Sequence, residues 1–431
     1  MAVSSPHGFD RRIFLKSSAL AALGTGVGVP LLAACAPKSA GSKSASSAGS
    51  GTIKVGVISP LSGAWTVYGK AHLAGFKLAV DEINAAGGTL GRKWEILQAD
   101  SQTQPQVVTE QANRLIREEK VAFLAGTFSS AERNAAAPVV TQANKLLLYP
   151  TFYEGQSQSF YPGVCNPNIF MFGPEPSEQV WPHMDYIVKK HGGKFFMVGS
   201  DYVWPKETNR LTKQKLAELG GKVVGEVYIP FNTPQYGSVL SQIKSSGADV
   251  IFLTLTGSDT VNFRRQLAAA GMKKDFIVWT VDDEEAATSG IGPEATVGDY
   301  VSFDYFWSID TPNNREFRAK VRAKAGNVLM DTVGVAMYNA AHMAAKAIEE
   351  AGDVSTDGIR EKLQGMTFDK APQGSITMRA EDHQAVLPSY LVKVRPNWTS
   401  PDDMFEVVNK VASVTPSPAK CSNLPLKAKP S

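Results

Sequence analysis

From Thr52 to Ile58 apolar residues alternate with small or polar ones, and the run stops at Ser59-Pro60. That two-residue period predicts a strand. From Tyr68 to Ala85 the spacing turns helical, with Ala74, Leu78 and Ile83 on one face, until Gly87-Gly88 ends the run. The rhythm continues with strands over Trp94–Gln98, Val121–Ala125 and Leu146–Tyr149, and helices over Pro105–Glu119 and Ala131–Asn144 between them. Helices between successive strands require crossovers, which predicts a mostly parallel sheet.

The pattern then restarts. Strands are predicted over Lys194–Gly199, Val223–Ile229, Asp249–Leu255 and Phe276–Val281, with helices over Pro205–Leu219, Tyr236–Ser246 and Thr260–Ala270. Two successive halves of this kind imply an α/β chain with two doubly wound, Rossmann-like lobes, although no sequence repeat relates them. The last third differs. A strand over Val301–Trp307 and helices near Asn314–Ala325 and Asp331–Ala351 precede antiparallel-looking runs at Gly374–Met378 and Ala385–Val394. Such a remainder suits a chain that crosses back between two lobes and so builds a hinge.

The 431 residues carry 44 Lys+Arg against 41 Asp+Glu, and 43% are hydrophobic. A net charge of +3 argues against a nucleic-acid partner, and the apolar content suits a large buried core. The N-terminus reads as an address. Asp10-Arg11-Arg12-Ile13-Phe14-Leu15-Lys16 precedes a small, weakly apolar run, the layout of a twin-arginine-type export signal over residues 1–34. Leu32-Ala33-Ala34-Cys35 resembles a lipoprotein box, in which the thiol of Cys35 takes a lipid; a plain cleaved signal with an incidental Cys is the alternative. Residues 35–51, rich in Ser, Gly, Ala and Lys, have the composition of a flexible tether. Cys165 and Cys421 remain. Outside the cytoplasm they are free to pair, but Cys421 sits in a Pro/Lys-rich tail that looks poorly ordered, so the pairing stays open.

No hydrolase, phosphate-loop or metal-ligand motif stands out, and the six His residues are scattered singly. Neither a metal nor another cofactor is expected, and no enzyme activity. Polar and aromatic residues gather instead behind predicted strands, where open α/β sheets bind ligands. Phe128-Ser129-Ser130 precedes a helix, and the two serines are natural caps whose helix start can hold a carbonyl or carboxylate oxygen. Tyr149, Thr151 and Phe152 follow one strand, and Tyr202 and Trp204 follow another. Aromatics facing across a cleft make flat walls for a small planar solute. Thr256, Asp282 and Asp283 close two further strands, where a carboxylate can accept from ammonium or amide groups.

Several of these segments resemble the type I periplasmic-binding-protein superfamily, in its branched-chain amino-acid group, and most closely the urea and short-chain amide branch. The resemblance rests on Tyr149-Pro150-Thr151-Phe152-Tyr153-Glu154-Gly155 with Pro167-Asn168-Ile169, and on Gly199-Ser200-Asp201-Tyr202 with Pro205 and Glu207-Thr208-Asn209. It extends to Tyr305-Phe306-Trp307-Ser308-Ile309-Asp310-Thr311-Pro312 and Ala371-Pro372-Gln373-Gly374. It implies two lobes with a three-crossing hinge: residues 52–172 plus 305–368, and 173–304 plus 369–397, followed by a C-terminal tail, 398–431. It further implies that Ser130 meets the solute's oxygen end, that Tyr149 and Thr151 line the wall, and that Tyr202 and Thr256 face them. Asp283 is the nearest match to the acidic residue that holds an ammonium in amino-acid binders. Phe128 and Trp204 stand where the branch can carry Tyr, and Asp282 is unexpected. The function implied is that of a monomeric, lipid-anchored extracytoplasmic receptor. It delivers urea or a short-chain amide to the membrane subunits of an ABC importer. An amino-acid receptor is the alternative, and so is a cytoplasmic amide sensor, against which the export signal argues.

Overall fold

The computed structural model describes residues 51–63, 65–155, 165–326, 328–415 and 421. The expected export signal, Cys35 and nearly all of the tether lie outside the described residues. Among the described residues no helix is long and apolar enough to cross a membrane.

Two sheets organise the chain. The first holds β1 (Ile53–Ser59), β2 (Trp94–Asp100), β3 (Leu124–Gly126), β4 (Leu147–Tyr149) and β5 (Ile169–Met171), all parallel, in the order β2-β1-β3-β4-β5. The second begins with β6 (Lys194–Ser200), β7 (Lys222–Ile229), β8 (Val250–Thr254), β9 (Ile277–Thr280) and β10 (Tyr300–Phe303), also parallel, in the order β7-β6-β8-β9-β10. Counted within each sheet, both orders are 2-1-3-4-5. The lobes therefore share one doubly wound topology, with a switch point between the first and third strands.

The second sheet continues with antiparallel strands β11 (Thr367–Phe368), β12 (Ile376–Met378), β13 (Ala385–Val394) and β14 (Phe405–Val414). β14 falls where a C-terminal tail was expected from residue 398. It pairs with β13 from Val394↔Phe405 to Leu387↔Val414. Its outer residues are largely exposed, so the weak apolar alternation that disguised it is that of an edge strand. Beyond it Cys421 is bonded to Cys165, with the Cα atoms 5.2 Å apart.

The chain passes between the lobes three times. It leaves the first sheet after Met171 and returns after Phe303. The helices Pro312–Lys324, Thr332–Ala351 and Thr356–Leu363 follow, and then the chain enters β11 of the second sheet. The helix Thr332–Ala351 lies against the helix Thr66–Ala85 of the first lobe. A Cβ added at Gly75 would sit 1.9 Å from the Gly334 carbonyl oxygen, so only glycine permits this approach. Gln384, between β12 and β13, fastens the second sheet to the first crossing. Its Nε2 donates to Gly173 O and to Glu178 Oε2, both at 2.9 Å, while Tyr153 Oη donates to its Oε1 at 2.6 Å.

Other differences from the sequence expectation are local. The helix from Pro105 ends at Asn113 and gives way to a widened turn over Arg114–Glu118 that buries both Leu115 and Ile116. The strand expected over Val301–Trp307 stops at Phe303, because the chain there leaves the sheet for its second crossing. The helix over Trp181–His191 is closed by Gly192 at φ 111°, in keeping with Gly192-Gly193 as a helix cap ahead of the strand from Lys194.

Candidate functional site

The C-terminal ends of the parallel strands in both lobes carry the candidate residues. After β3 the chain turns sharply, with Gly126 at φ 110° and its missing Cβ only 2.2 Å from Ile58 O. This turn sets Phe128 and Ser129 beside the end of β1, at the switch point. Ser129 caps the helix Ser130–Gln142 in a capping box. Glu132 N donates to Ser129 Oγ at 3.2 Å, and Glu132 Oε2 accepts from Phe128 N at 2.7 Å and Ser129 N at 3.0 Å. Ser130 lies one step further in, and its hydroxyl donates to Glu154 Oε2. Glu154 also takes Arg133 Nη2 at 2.6 Å, a wholly buried ion pair whose guanidinium lies 5.2 Å from the Tyr149 ring centroid.

Aromatic rings fill the space where the lobes meet. Phe128 stacks on Tyr68 at 4.7 Å, with Trp65 at 5.3 Å and Phe152 edge-on at 6.3 Å. From the second lobe Trp204 reaches Phe152 at 5.0 Å, and Phe231 reaches Trp65 at 6.0 Å. Tyr202 bridges these two, 6.1 Å from Trp204 and 5.4 Å from Phe231. Phe128, Phe152, Tyr202 and Trp204 thus come together as the sequence suggested. Trp65, Tyr68 and Phe231 complete the cage and were not anticipated. Trp65 and Tyr68 read as ordinary apolar positions at a helix start, and Phe231 as a loop residue. Their common signal was position: each follows the C-terminal end of a parallel strand, Trp65 and Tyr68 after β1 and Phe231 after β7.

Tyr149 and Thr151 stand behind this cage. Tyr149 Oη donates to Phe128 O at 2.9 Å, and Thr151 Oγ1 to Thr127 O at 3.4 Å, so both brace the turn that presents Phe128. Burial pushes the Tyr149 hydroxyl well above its ordinary range. Thr256 N donates to Ser200 Oγ at 3.2 Å, which fastens the ends of β8 and β6 together. The Thr256 hydroxyl adjoins Tyr202.

The two adjacent aspartates have opposite surroundings. Asp283 was expected to meet an ammonium; instead it lies inside the second lobe. It accepts Arg264 Nη1 at 2.6 Å and Thr260 Oγ1 at 3.1 Å, and Arg264 also pairs with Asp299 at 2.5 Å. Its charge is already matched. Asp282 faces the first lobe. Its Oδ2 takes the Tyr68 hydroxyl at 3.3 Å, while Oδ1 is buried with no hydrogen-bond partner among the described residues. Burial, then the neighbouring Asp283 and Glu284 charges, push its carboxyl well above the usual range. Other side-chain atoms of this region are also buried and unpartnered among the described residues, among them Thr127 Oγ1, Thr256 Oγ1, Trp204 Nε1, Glu132 Oε1 and Arg133 Nε and Nη1.

Residues 52–399 match the family model described as periplasmic binding protein. The chain belongs to the periplasmic binding protein family. Its two lobes and repeated strand order are those of the type I fold. Among its relatives is the Leu/Ile/Val-binding protein homolog 6 of Brucella melitensis biotype 1, 27% identical over 363 residues, covering 82% of this chain and 90% of that one. A solved structure of similar form is the solute-binding protein of an ABC transporter from Rhodopseudomonas palustris HaA2 in complex with p-hydroxybenzoic acid. It has TM-score 0.77 and 26% identity, with 85% of this chain and 98% of that one covered. The LivJ substrate-binding protein of Streptococcus pneumoniae, in complex with isoleucine, shares the fold at TM-score 0.71 and 21% identity, over 85% and 100% of the two chains. This periplasmic binding protein is therefore a solute-binding component of an ABC transporter that works outside the cytoplasm. Its family serves transport as receptors rather than as enzymes.

Proposed function

We propose that this periplasmic binding protein captures urea or a short-chain amide between its lobes and delivers it, unaltered, to the membrane subunits of its ABC importer. The observation that carries the reading is the charge state of the cleft. Both wholly buried arginines are neutralised, Arg133 by Glu154 and Arg264 by Asp283 and Asp299. Glu132 occupies the N–H groups of Phe128 and Ser129 at the helix start. Neither arginine keeps an unmatched charge for the carboxylate of an amino acid or a benzoate, although Arg133 Nε and Nη1 have no hydrogen-bond partner among the described residues. Asp283 is likewise unavailable for an α-ammonium.

A planar amide suits what remains. Aromatic faces can sandwich it. Trp204 Nε1 can donate to its oxygen, and Asp282 Oδ1 and Thr127 Oγ1 can accept from its NH2 groups. Solute touching both lobes favours the closed form, so capture is a population shift. The segments quoted above for the amide branch support the same reading. A second reading, an aromatic acid, draws on the ring-rich cleft and on the p-hydroxybenzoic acid held by the R. palustris protein.

The deciding experiment is a melting-temperature panel with urea, formamide, acetamide, leucine and p-hydroxybenzoate. Concentration-dependent stabilisation is expected from the amides and not from the two acids; the reverse order refutes the amide reading. We further propose attachment through a lipid on Cys35 after a twin-arginine-type signal, with the receptor monomeric. Loss of membrane association in Cys35→Ser is the expected result.

A further inference from the structure

We infer that Asp282 tunes the cleft for charge, so that it prefers the cationic isosteres of urea and amides, guanidinium and amidinium ions, over the neutral solutes. This inference rests on the reading of the cleft as a capture site for planar NH-rich solutes, and adds the charge of the solute.

Among the described residues, the groups that act on Asp282 include no cation. On its own loop stand Asp283 and Glu284. From the first lobe, Tyr68 comes from the helix Thr66–Ala85, while Asp331 lies by Glu284, and the Gly257 backbone N–H of the second lobe also serves the Asp282 carboxyl. From the second lobe comes Tyr202. Glu284 Oε1 accepts Thr332 N at 3.2 Å across the lobes, and among the described residues no ion pair is formed by Glu284 or Asp282. Arg264, the nearest buried cation along the chain, is held by Asp283 and Asp299. Among the described residues no group of His, Cys, Asp and Glu is placed to bind a metal ion.

Asp282 Oδ1 is therefore an acceptor buried without a hydrogen-bond partner among the described residues, on a side chain whose Oδ2 reaches Tyr68 of the first lobe. Without a cation it closes only as the neutral acid, because burial of an unpaired carboxylate is strongly unfavourable. A guanidinium ion has the shape of urea with its oxygen replaced by an NH2 group, and its positive charge would take the place of that proton. The walls assist. Trp65, Tyr68, Phe128, Tyr202 and Trp204 supply aromatic rings of the kind that attract organic cations in desolvated sites. Trp204 Nε1 works the other way, since it can serve only a solute oxygen. That is one neutral hydrogen bond against the compensation of a buried charge, and the charge is the larger effect.

Calorimetric titration of the full chain with two isosteric pairs tests this: guanidinium against urea, and acetamidinium against acetamide, at pH 7.5 and millimolar solute. The cation of each pair is expected to bind at least tenfold tighter. In Asp282→Asn the preference should collapse to within about twofold, whatever the variant does to urea affinity itself. Thermal unfolding of the variant checks its fold, and the wild-type comparison stands without it. Tighter binding of the neutral member, or an unchanged ratio in a folded Asp282→Asn, overturns the inference and leaves the amide reading intact. Binding by neither pair overturns both.

Discussion

Asp282 and Asp283 are adjacent in sequence and opposite in role. Side chains at consecutive positions leaving a strand point to opposite sides, so one faces the cleft and the other the lobe interior. Asp283→Asn should therefore act on folding rather than on capture. It leaves Arg264 with one carboxylate partner fewer, and calorimetric unfolding should show a loss of about 3 kcal/mol. Unchanged stability together with lost solute binding would return Asp283 to the site. Tyr202→Ala should weaken capture by about 1 kcal/mol, the scale of a lost aromatic contact; an unaltered titration curve would remove Tyr202 from the cage. Glu285 reports on pH. Burial pushes its carboxyl up to about 7 from an ordinary 4.5, against the pull of hydrogen bonds from Ser308. The folded state thus keeps a proton that the unfolded state releases near 4.5. Its contribution is full below that pH, is lost as pH rises to about 7, and amounts to about 3 kcal/mol. In Glu285→Gln the fall in melting temperature between these two pH values should be shallower, and a profile as steep as wild type would contradict this.

At the scale of elements, the strongly periodic segments were legible. The strands β1, β6 and β13 and the long helix ending at Ala351 follow from their spacing alone. The widened turn after Asn113 and the strand β14 were not, because their residues answer to neighbours far along the chain. The helix crossing at Gly75 is a similar case. Intrinsic propensity favours alanine over glycine inside a helix by about 1 kcal/mol. Steric contact with Gly334 O reverses the sign: Gly75→Ala should destabilise by about 1–3 kcal/mol and lower the melting temperature. A gain in stability would mean that the two helices can separate without cost.

For the whole molecule, the bond between Cys165 and Cys421 joins positions 256 residues apart. It ties the loop before β5 of the first sheet to the segment after β14 of the second. Closing so long a loop should contribute about 2–4 kcal/mol, so Cys421→Ser should unfold at distinctly lower temperature; an unchanged transition would show that the bond adds nothing to stability.

The alternation of strand and helix, read from the sequence by itself, determined the α/β class, the two lobes and the return of the chain between them. Such patterns record which side of each element must be buried. The same reading found aromatics behind strands, because in parallel sheets that location follows from chain order. Tertiary structure alone decided which of two aspartates meets the cleft, that Trp65, Tyr68 and Phe231 join the cage, and that two distant cysteines pair. Those outcomes depend on distances between segments far apart in sequence, and no local pattern encodes them.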